Sequence, residues 1–249
     1  MSGHSKWATT KHQKGAKDKA RGKLFAKLIR QVEVAAREGG GDVNANATLR
    51  TMFQKARDAS VPLDTIERAV KRGTGELEGV RYEAVSYEGY APSGVALIVE
   101  CLTDNRNRTG AEVRTIFTRN GGSMAEPGAV SWQFERKGVI STPRSVPEDE
   151  LVATVLEAGG EDVRDDGESW TVVTGPSELN AVREALEKAG VPLLSAELTM
   201  LPTTSVEVDD EQAARKVLHL IDLLEEQDDV NNVYSNFEIP DAILERVSA

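Results

Sequence analysis

The sequence predicts an α+β protein: an N-terminal three-helix domain followed by two ferredoxin-like α/β domains, the third inserted into the second. Three observations predict it. Apolar residues recur every three or four positions from about residue 20 to residue 72, which is the helical period. From Tyr82 onward short alternating or continuous apolar runs take over, separated by single helices, and this pattern restarts at Lys137. The first mixed unit comes up one helix and one strand short, and the C-terminal segment supplies both. The expected domains are therefore 1–80, 81–136 with 204–249, and an insert of 137–203.

Element by element, residues 1–19 show no apolar periodicity and read as a flexible arm. A helix follows from about Ala20, with Leu24, Leu28, Val32 and Ala35 as its apolar stripe, ending at Gly39-Gly40-Gly41. A second helix spans Asn46 to Ala59. A third has Pro62 in its first turn, turns Leu63, Ile66 and Val70 inward and stops at Gly73. Gly73 to Gly79 is a linker by composition. Strands are expected at Tyr82–Tyr90 and Gly94–Leu102 around an APSG turn, then a helix over Gly110–Arg119 opened by a Thr109/Glu112 capping box. Val130, Trp132 and Phe134 alternate as a third strand. The insert reads as strand 139–142, helix 147–158 with Leu151, Val152, Val155 and Leu156 inward, strand 168–174, helix 177–189 and strand 196–201. Val206 and Val208 could complete either sheet; a helix over Asp210 to Glu226 and a strand at Val233–Phe237 close the chain.

At 249 residues, 39% hydrophobic and 29% charged, the chain has the composition of a soluble globular protein. No apolar run is long enough to span a bilayer, and the N-terminus lacks the apolar core of a secretory signal. Its single cysteine, Cys101, excludes an intramolecular disulfide and a thiolate metal cluster, so a cytoplasmic location is expected. Catalysis is not expected. His4, His12 and His219 are the only histidines; the first two lie in the arm with no acid or cysteine at triad or ligand spacing, His219 between Leu218 and Leu220 reads as a surface or boundary residue, and Cys101 alternates with Val99 and Leu97 as a buried small hydrophobe. Acidic pairs such as Asp165-Asp166, Asp209-Asp210 and Asp228-Asp229 read as loop and cap residues without calcium-loop spacing, and no phosphate loop or dinucleotide fingerprint is present. No cofactor, metal or small-molecule substrate is implied.

Charge is the informative feature. Residues 1–72 carry 16 Lys or Arg against 7 Asp or Glu, a net +9, and residues 73–249 carry 14 against 34, a net −20. The sum of −11 hides a dipolar molecule whose basic end would meet a polyanion first. Gly3 to Arg30 holds Lys6, Lys11, Lys14, Lys17, Lys19, Arg21, Lys23, Lys27 and Arg30 against Asp18 alone. This stretch is the first nucleic-acid candidate, with Trp7 and His12 able to stack on a base or, for Trp7, to anchor the arm on the protein's own bundle. The third helix adds Arg68, Lys71 and Arg72. The second candidate is Asn105, Arg106, Asn107 and Arg108, beside an expected helix start where free N–H groups favour phosphate. An Arg–Asp network that merely holds this loop, with Asp104 and Glu112 to hand, is the equal alternative.

GHSKW at 3–7, DKARGKLFAKLIR at 18–30, YEGYAPSGVALIVECLTDNRNRTGAEVR at 87–114, NGG at 120–122 and DDVNNVYSNFEIP at 228–240 closely resemble the YebC/PmpR family of transcriptional regulators, end to end. The resemblance implies three domains with the third inserted in the second, and a non-enzymatic, cytoplasmic nucleic-acid-binding protein. Bacterial relatives are described as DNA-binding regulators of transcription. Mitochondrial relatives are translational activators, and some bacterial members look like ribosome-associated factors. The implied partner is thus duplex DNA or, alternatively, ribosomal RNA or tRNA on the ribosome, with no membrane and no small-molecule substrate.

Overall fold

A computed structural model describes residues 17–167 and 169–248. The chain divides into two compact units, one of residues 1–134 with 202–249, the other of residues 135–201.

The first unit opens with three helices: α1 (Lys17–Gly39), α2 (Ala47–Asp58) and α3 (Leu63–Thr74). Their core is Leu28, Val32, Ala35, Leu49, Ala56, Ile66 and Ala69. Leu24 and Leu63 are exposed rather than inward, while Phe25, beside Leu24, packs against the core. Asn46 caps α2, its side chain accepting from the Leu49 N–H at 3.0 Å while its amide donates to the carbonyls of Ala35 and Gly40. Gly73 does not stop α3. The helix runs to Thr74, and Gly75, at φ 85°, is the left-handed residue that closes it. Gly73 instead lets α3 approach α1, since a Cβ there would sit 2.3 Å from the Glu33 carbonyl and 2.8 Å from the Ala36 Cβ.

The mixed part of this unit is a four-stranded antiparallel sheet in the order β3-β1-β2-β9, built from β1 (Glu83–Tyr90), β2 (Ala96–Thr103), β3 (Ser123–Ala125) and β9 (Val230–Ser235). The helices α4 (Arg106–Arg119) and α7 (Glu211–Glu226) cover it, and α8 (Asp241–Ser248) adds Ile243 and Leu244 to a core of Leu97, Val99, Val113, Phe117, Val217, Leu220, Ile221, Val233 and Phe237. As the strand count requires, the C-terminal segment returns a helix and a strand to the first sheet. Val206 and Val208 complete neither large sheet: β8 (Val206–Glu207) pairs in parallel with β10 (Phe237–Glu238) as a separate two-stranded ribbon.

Two local expectations fail for identifiable reasons. The Thr109/Glu112 capping box does not form; α4 starts earlier, with Asn105 as its cap accepting from the Arg108 N–H at 3.1 Å. Thr109 is fully buried and commits its hydroxyl to a distant carboxylate. The alternation of Val130, Trp132 and Phe134 is a coincidence of a turn, because Ser131–Gln133 is a single 3₁₀ turn and only Phe134 enters a strand. The Glu88 carboxylate accepts the N–H groups of Gly128, Val130 and Ser131 at 2.7–2.9 Å and so folds the loop. Val130 is buried, and Trp132 is left 69% exposed with its indole N–H donating to the Ala129 carbonyl.

The second unit is a four-stranded sheet in the order β5-β6-β4-β7, from β4 (Phe134–Pro143), β5 (Gly160–Asp165), β6 (Ser169–Thr174) and β7 (Ser195–Pro202). The helices α5 (Glu148–Glu157) and α6 (Leu179–Lys188) pack on it around Ile140, Leu151, Val155, Trp170, Val172, Val182 and Leu186. Leu156 is exposed, one position past the inward Val155. The strand β5 has no alternating pattern to reveal it; it is the edge strand of its sheet, paired with β6, with Val163 packed against the core.

Replacing Gly73 by Ala tests the α1–α3 crossing. We expect a loss of about 1–3 kcal/mol, the usual cost of overpacking against backbone, in urea-denaturation midpoints at unchanged slope. A change within about 0.5 kcal/mol, as at an ordinary surface site, would contradict the close approach.

Candidate nucleic-acid interface

Lys23, Lys27 and Arg30 stand at i, i+4 and i+7 of α1 and therefore share one face. In the folded chain that face meets the C-terminal end of α7. The Lys27 Nζ donates to the Glu225 carbonyl at 2.7 Å, the Lys23 Nζ to the Glu226 carbonyl at 3.0 Å, and the Arg30 Nη1 to the Asp228 carbonyl at 2.7 Å. The last carbonyls of a helix lack partners and carry its negative end. The last turn of α7 has no basic residue of its own and ends in Glu225-Glu226, so α1 supplies the cations that turn lacks. Lys23 also lies 3.3 Å from the Asp228 carboxylate. Burial lowers the Lys27 pKa, as do the charges of Lys23 and Arg30, while Glu225 and Asp228 pull the other way.

Beside this contact sits Asp229, whose residue is only 5% exposed. Its carboxylate accepts from the Arg108 Nη2 and the Thr109 hydroxyl, both at 2.7 Å, and from the Thr103 hydroxyl at 3.4 Å, with the Arg30 guanidinium 3.5 Å away. Burial pushes the Asp229 pKa up, but the hydrogen bonds from Arg108 and Thr109 and the charges of Arg108 and Arg30 outweigh it and hold the carboxyl below its usual value. The same Arg108 nitrogen reaches the Asp104 carboxylate at 2.7 Å, and its two acidic partners raise the Arg108 pKa further. The Asn105 N–H donates to the Thr103 hydroxyl at 2.8 Å, so the α4 start is fixed on the end of β2. A polar cleft of about 530 Å³ opens here, lined by Lys23, Arg30, Tyr82, Asp104, Arg108 and Asp228 among others. Arg30 stacks its guanidinium over the Tyr82 ring at 5.2 Å.

A third cluster lies inside the bundle. Glu33, 2% exposed, accepts from the Arg72 Nε at 2.9 Å and from the Arg37 Nη2 at 3.4 Å, and the Arg37 Nη1 donates to the Tyr82 carbonyl at 2.9 Å.

The sequence candidates therefore separate. Arg108 takes part in the Arg–Asp network that was the alternative reading of its loop, with Asp104 and the unforeseen Asp229 as partners; Glu112 is engaged by Gln227 instead. Lys27 and Arg30 hold the α7 terminus, and Arg72 holds Glu33. Arg21, Arg68, Lys71, Asn105, Arg106 and Asn107 are exposed. Arg21 lies 5.3 Å over the Phe25 ring, and Arg106 is 3.9 Å from the Glu83 carboxylate. Lys17 and Lys19 fall in the first turn of α1, while Lys6, Trp7, Lys11, His12 and Lys14 lie outside the described residues. Asp229 and Glu33 are what sequence reasoning missed. No signal local to Asp229 marks it, because its partners Arg30, Thr103, Arg108 and Thr109 all lie at least 120 positions away in the chain.

Elsewhere the chemistry is sparse. Cys101 is buried and its thiol is pushed up to about 12 by burial and by Asp229, so it is no nucleophile, and His219 is exposed on α7. Among the described residues no three acidic, histidine or cysteine side chains are grouped to hold a metal ion, and no helix is long and apolar enough to cross a membrane.

With this architecture in view, the comparison with known proteins is direct: the chain belongs to the TACO1/YebC family. Residues 5–76 match the model of the TACO1/YebC protein N-terminal domain, and residues 82–237 that of the TACO1/YebC second and third domain. A probable transcriptional regulatory protein of Thermobifida fusca is 57% identical over 100% of both chains, and one of Persephonella marina is 54% identical over 100% of both. The crystal structure of a conserved hypothetical protein from Aquifex aeolicus superposes with a TM-score of 0.82 at 50% identity, covering 92% of this chain and 95% of that one.

The Asp229 cluster makes a pH prediction. A carboxyl whose folded pKa lies below its unfolded value of about 3.9 stabilises the fold fully above that value, and the contribution is lost as pH falls through the lowered folded pKa. We expect Asp229→Asn to lose about 1.5–3 kcal/mol at neutral pH, the range for hydrogen bonds to a charged group. Its stability should also fall less steeply than wild type below about pH 4. Parallel acid limbs for the two proteins would show that Asp229 is not the titrating group.

Proposed function

We propose that this chain is a non-enzymatic, cytoplasmic transcriptional regulatory protein that binds duplex DNA through its basic N-terminal arm and helices. The observation that carries the reading is the one-sidedness of its charge. Nine cations face one acid between Gly3 and Arg30, in a chain of net charge −11. The exposed Arg21, Arg68 and Lys71 extend that charge onto the helical bundle, and the relatives named as probable transcriptional regulatory proteins span the whole chain.

A second reading, a ribosome-associated or RNA-binding translation factor, draws on a specific observation. Among the described residues Lys27, Arg30 and Arg72 are engaged internally, so α1 and α3 do not offer an uninterrupted row of Arg and Asn such as reads a major groove. Contacts that follow a phosphate backbone and irregular shape suit RNA equally well.

A competition at physiological salt decides between them: labelled protein, purified ribosomes and a pool of promoter fragments in one tube, beside the Lys11→Glu, Lys14→Glu, Lys17→Glu variant. Partition of wild type to particular DNA fragments, lost in the variant at unchanged thermal stability, is the expected result. Partition to ribosomes with weak, sequence-indifferent DNA binding would replace the DNA reading by the translation one. Each phosphate neutralised on B-DNA contributes about −0.9 to the slope of log affinity against log salt, so a flat salt response would remove the electrostatic basis altogether.

A further inference from the structure

We propose that the α7 terminus and Asp228 are an internal stand-in for a nucleic-acid backbone, covering the Lys23, Lys27 and Arg30 face of α1 until a phosphate backbone displaces them. The inference rests on the nucleic-acid reading above and adds a regulation of that same surface.

The geometry is that of a phosphate mimic. Lys23, Lys27 and Arg30 are spaced about 6 and 4.5 Å along the α1 axis by the helical rise of about 1.5 Å per residue. Opposite them lies a row of oxygens, the carbonyls of Glu225, Glu226 and Asp228, followed by the Asp228 and Asp229 carboxylates. The row carries the negative end of α7 and two formal charges, so to the three cations it resembles a segment of backbone. A nucleic acid offers the same cations stronger, fully ionised acceptors.

The outer part of this contact is built to exchange. The side chains of Lys23 and Asp228 are 44% and 71% exposed, so their attraction is screened by solvent and easily replaced. The inner part, Asp229 with Arg108 and Thr109, belongs to the α/β core and holds the loop in place when α1 leaves. The bundle is joined to β1 through residues 75–81, all exposed and without helix or strand, with Gly75 and Gly79 among them. That segment can absorb a movement of the bundle without disturbing either core. The acceptors also discriminate, because an anion has to displace three hydrogen bonds at once, which a multivalent polymer does far better than a free ion.

The test uses the full chain. Asp228→Asn removes one charge from the exposed end of the mimic, and Glu157→Gln, exposed on α5 in the other unit, makes the same change of net charge elsewhere. Affinity for a fluorescein-labelled DNA duplex and for an RNA hairpin is read by anisotropy. A second measurement places spin labels at Arg57→Cys on α2 and Glu245→Cys on α8, both exposed, the native Cys101 being buried and unreactive. Expected are a several-fold gain in affinity for Asp228→Asn over both wild type and Glu157→Gln, and a longer label separation once nucleic acid is added. Equal affinities for the two variants, or binding with an unchanged label separation, would overturn the mimic and leave the nucleic-acid reading intact. Binding of neither polymer by wild type would remove both.

Discussion

A carboxylate taken out of water must be given partners, and in this fold the carboxylate of Asp229 dictates the arrangement around it. Its partners come from two stretches far from it in sequence: Thr103 at the end of β2 with Arg108 and Thr109 in the first turn of α4, and Arg30 on α1. Satisfying one buried charge therefore fixes the start of α4 on the end of β2 and draws α1 toward the loop after α7. The lysine contacts to the α7 terminus follow from that approach. A second buried carboxylate, Glu33, does the same work inside the bundle, where Arg72 and Arg37 close on it from α3 and from α1 itself.

The chain thus spends part of its basic charge on itself. The positive excess of the N-terminal residues and the negative excess of the remainder are brought into contact, and the sites of contact are the acidic end of one helix and the basic face of another. Such pairing offsets the charge of one region with that of the other, and Arg21, Arg68, Lys71 and Arg106 are among the described cations that stay exposed.

The helices and the central strands were legible because their burial repeats at short range. Val32, Ile66, Leu151 and Leu220 are all where the 3.6-residue period puts them, and β2, buried along almost its whole length, reads as a continuous apolar run. What could not be read depends on partners far away in the chain. Thr109 has the spelling of a capping box, yet its hydroxyl answers to Asp229. Trp132 alternates like a strand residue, yet Glu88, on another strand, curls its loop into a turn. The strand β5 is a hairpin partner with mostly exposed side chains and so leaves no hydrophobic trace. The basic face of α1 was visible, but nothing local announced that the carbonyls it meets belong to residues 225–228.

The return of the chain to its first sheet has a consequence for the order of events during synthesis. Leu97 and Val99 of β2 pair with Ser235 and Val233 of β9, and the whole of residues 135–201 is made between the two strands. The inserted unit contains its own hairpin and helices, all close in sequence, so it can close its core while still being extended from the ribosome. β2, in contrast, leaves the exit tunnel with an apolar edge that stays unpaired until β9 follows. A nascent chain of this design carries a finished insert beside a half-built neighbour, and the interval between them is when an open strand edge is available to chaperones or to the wrong partner.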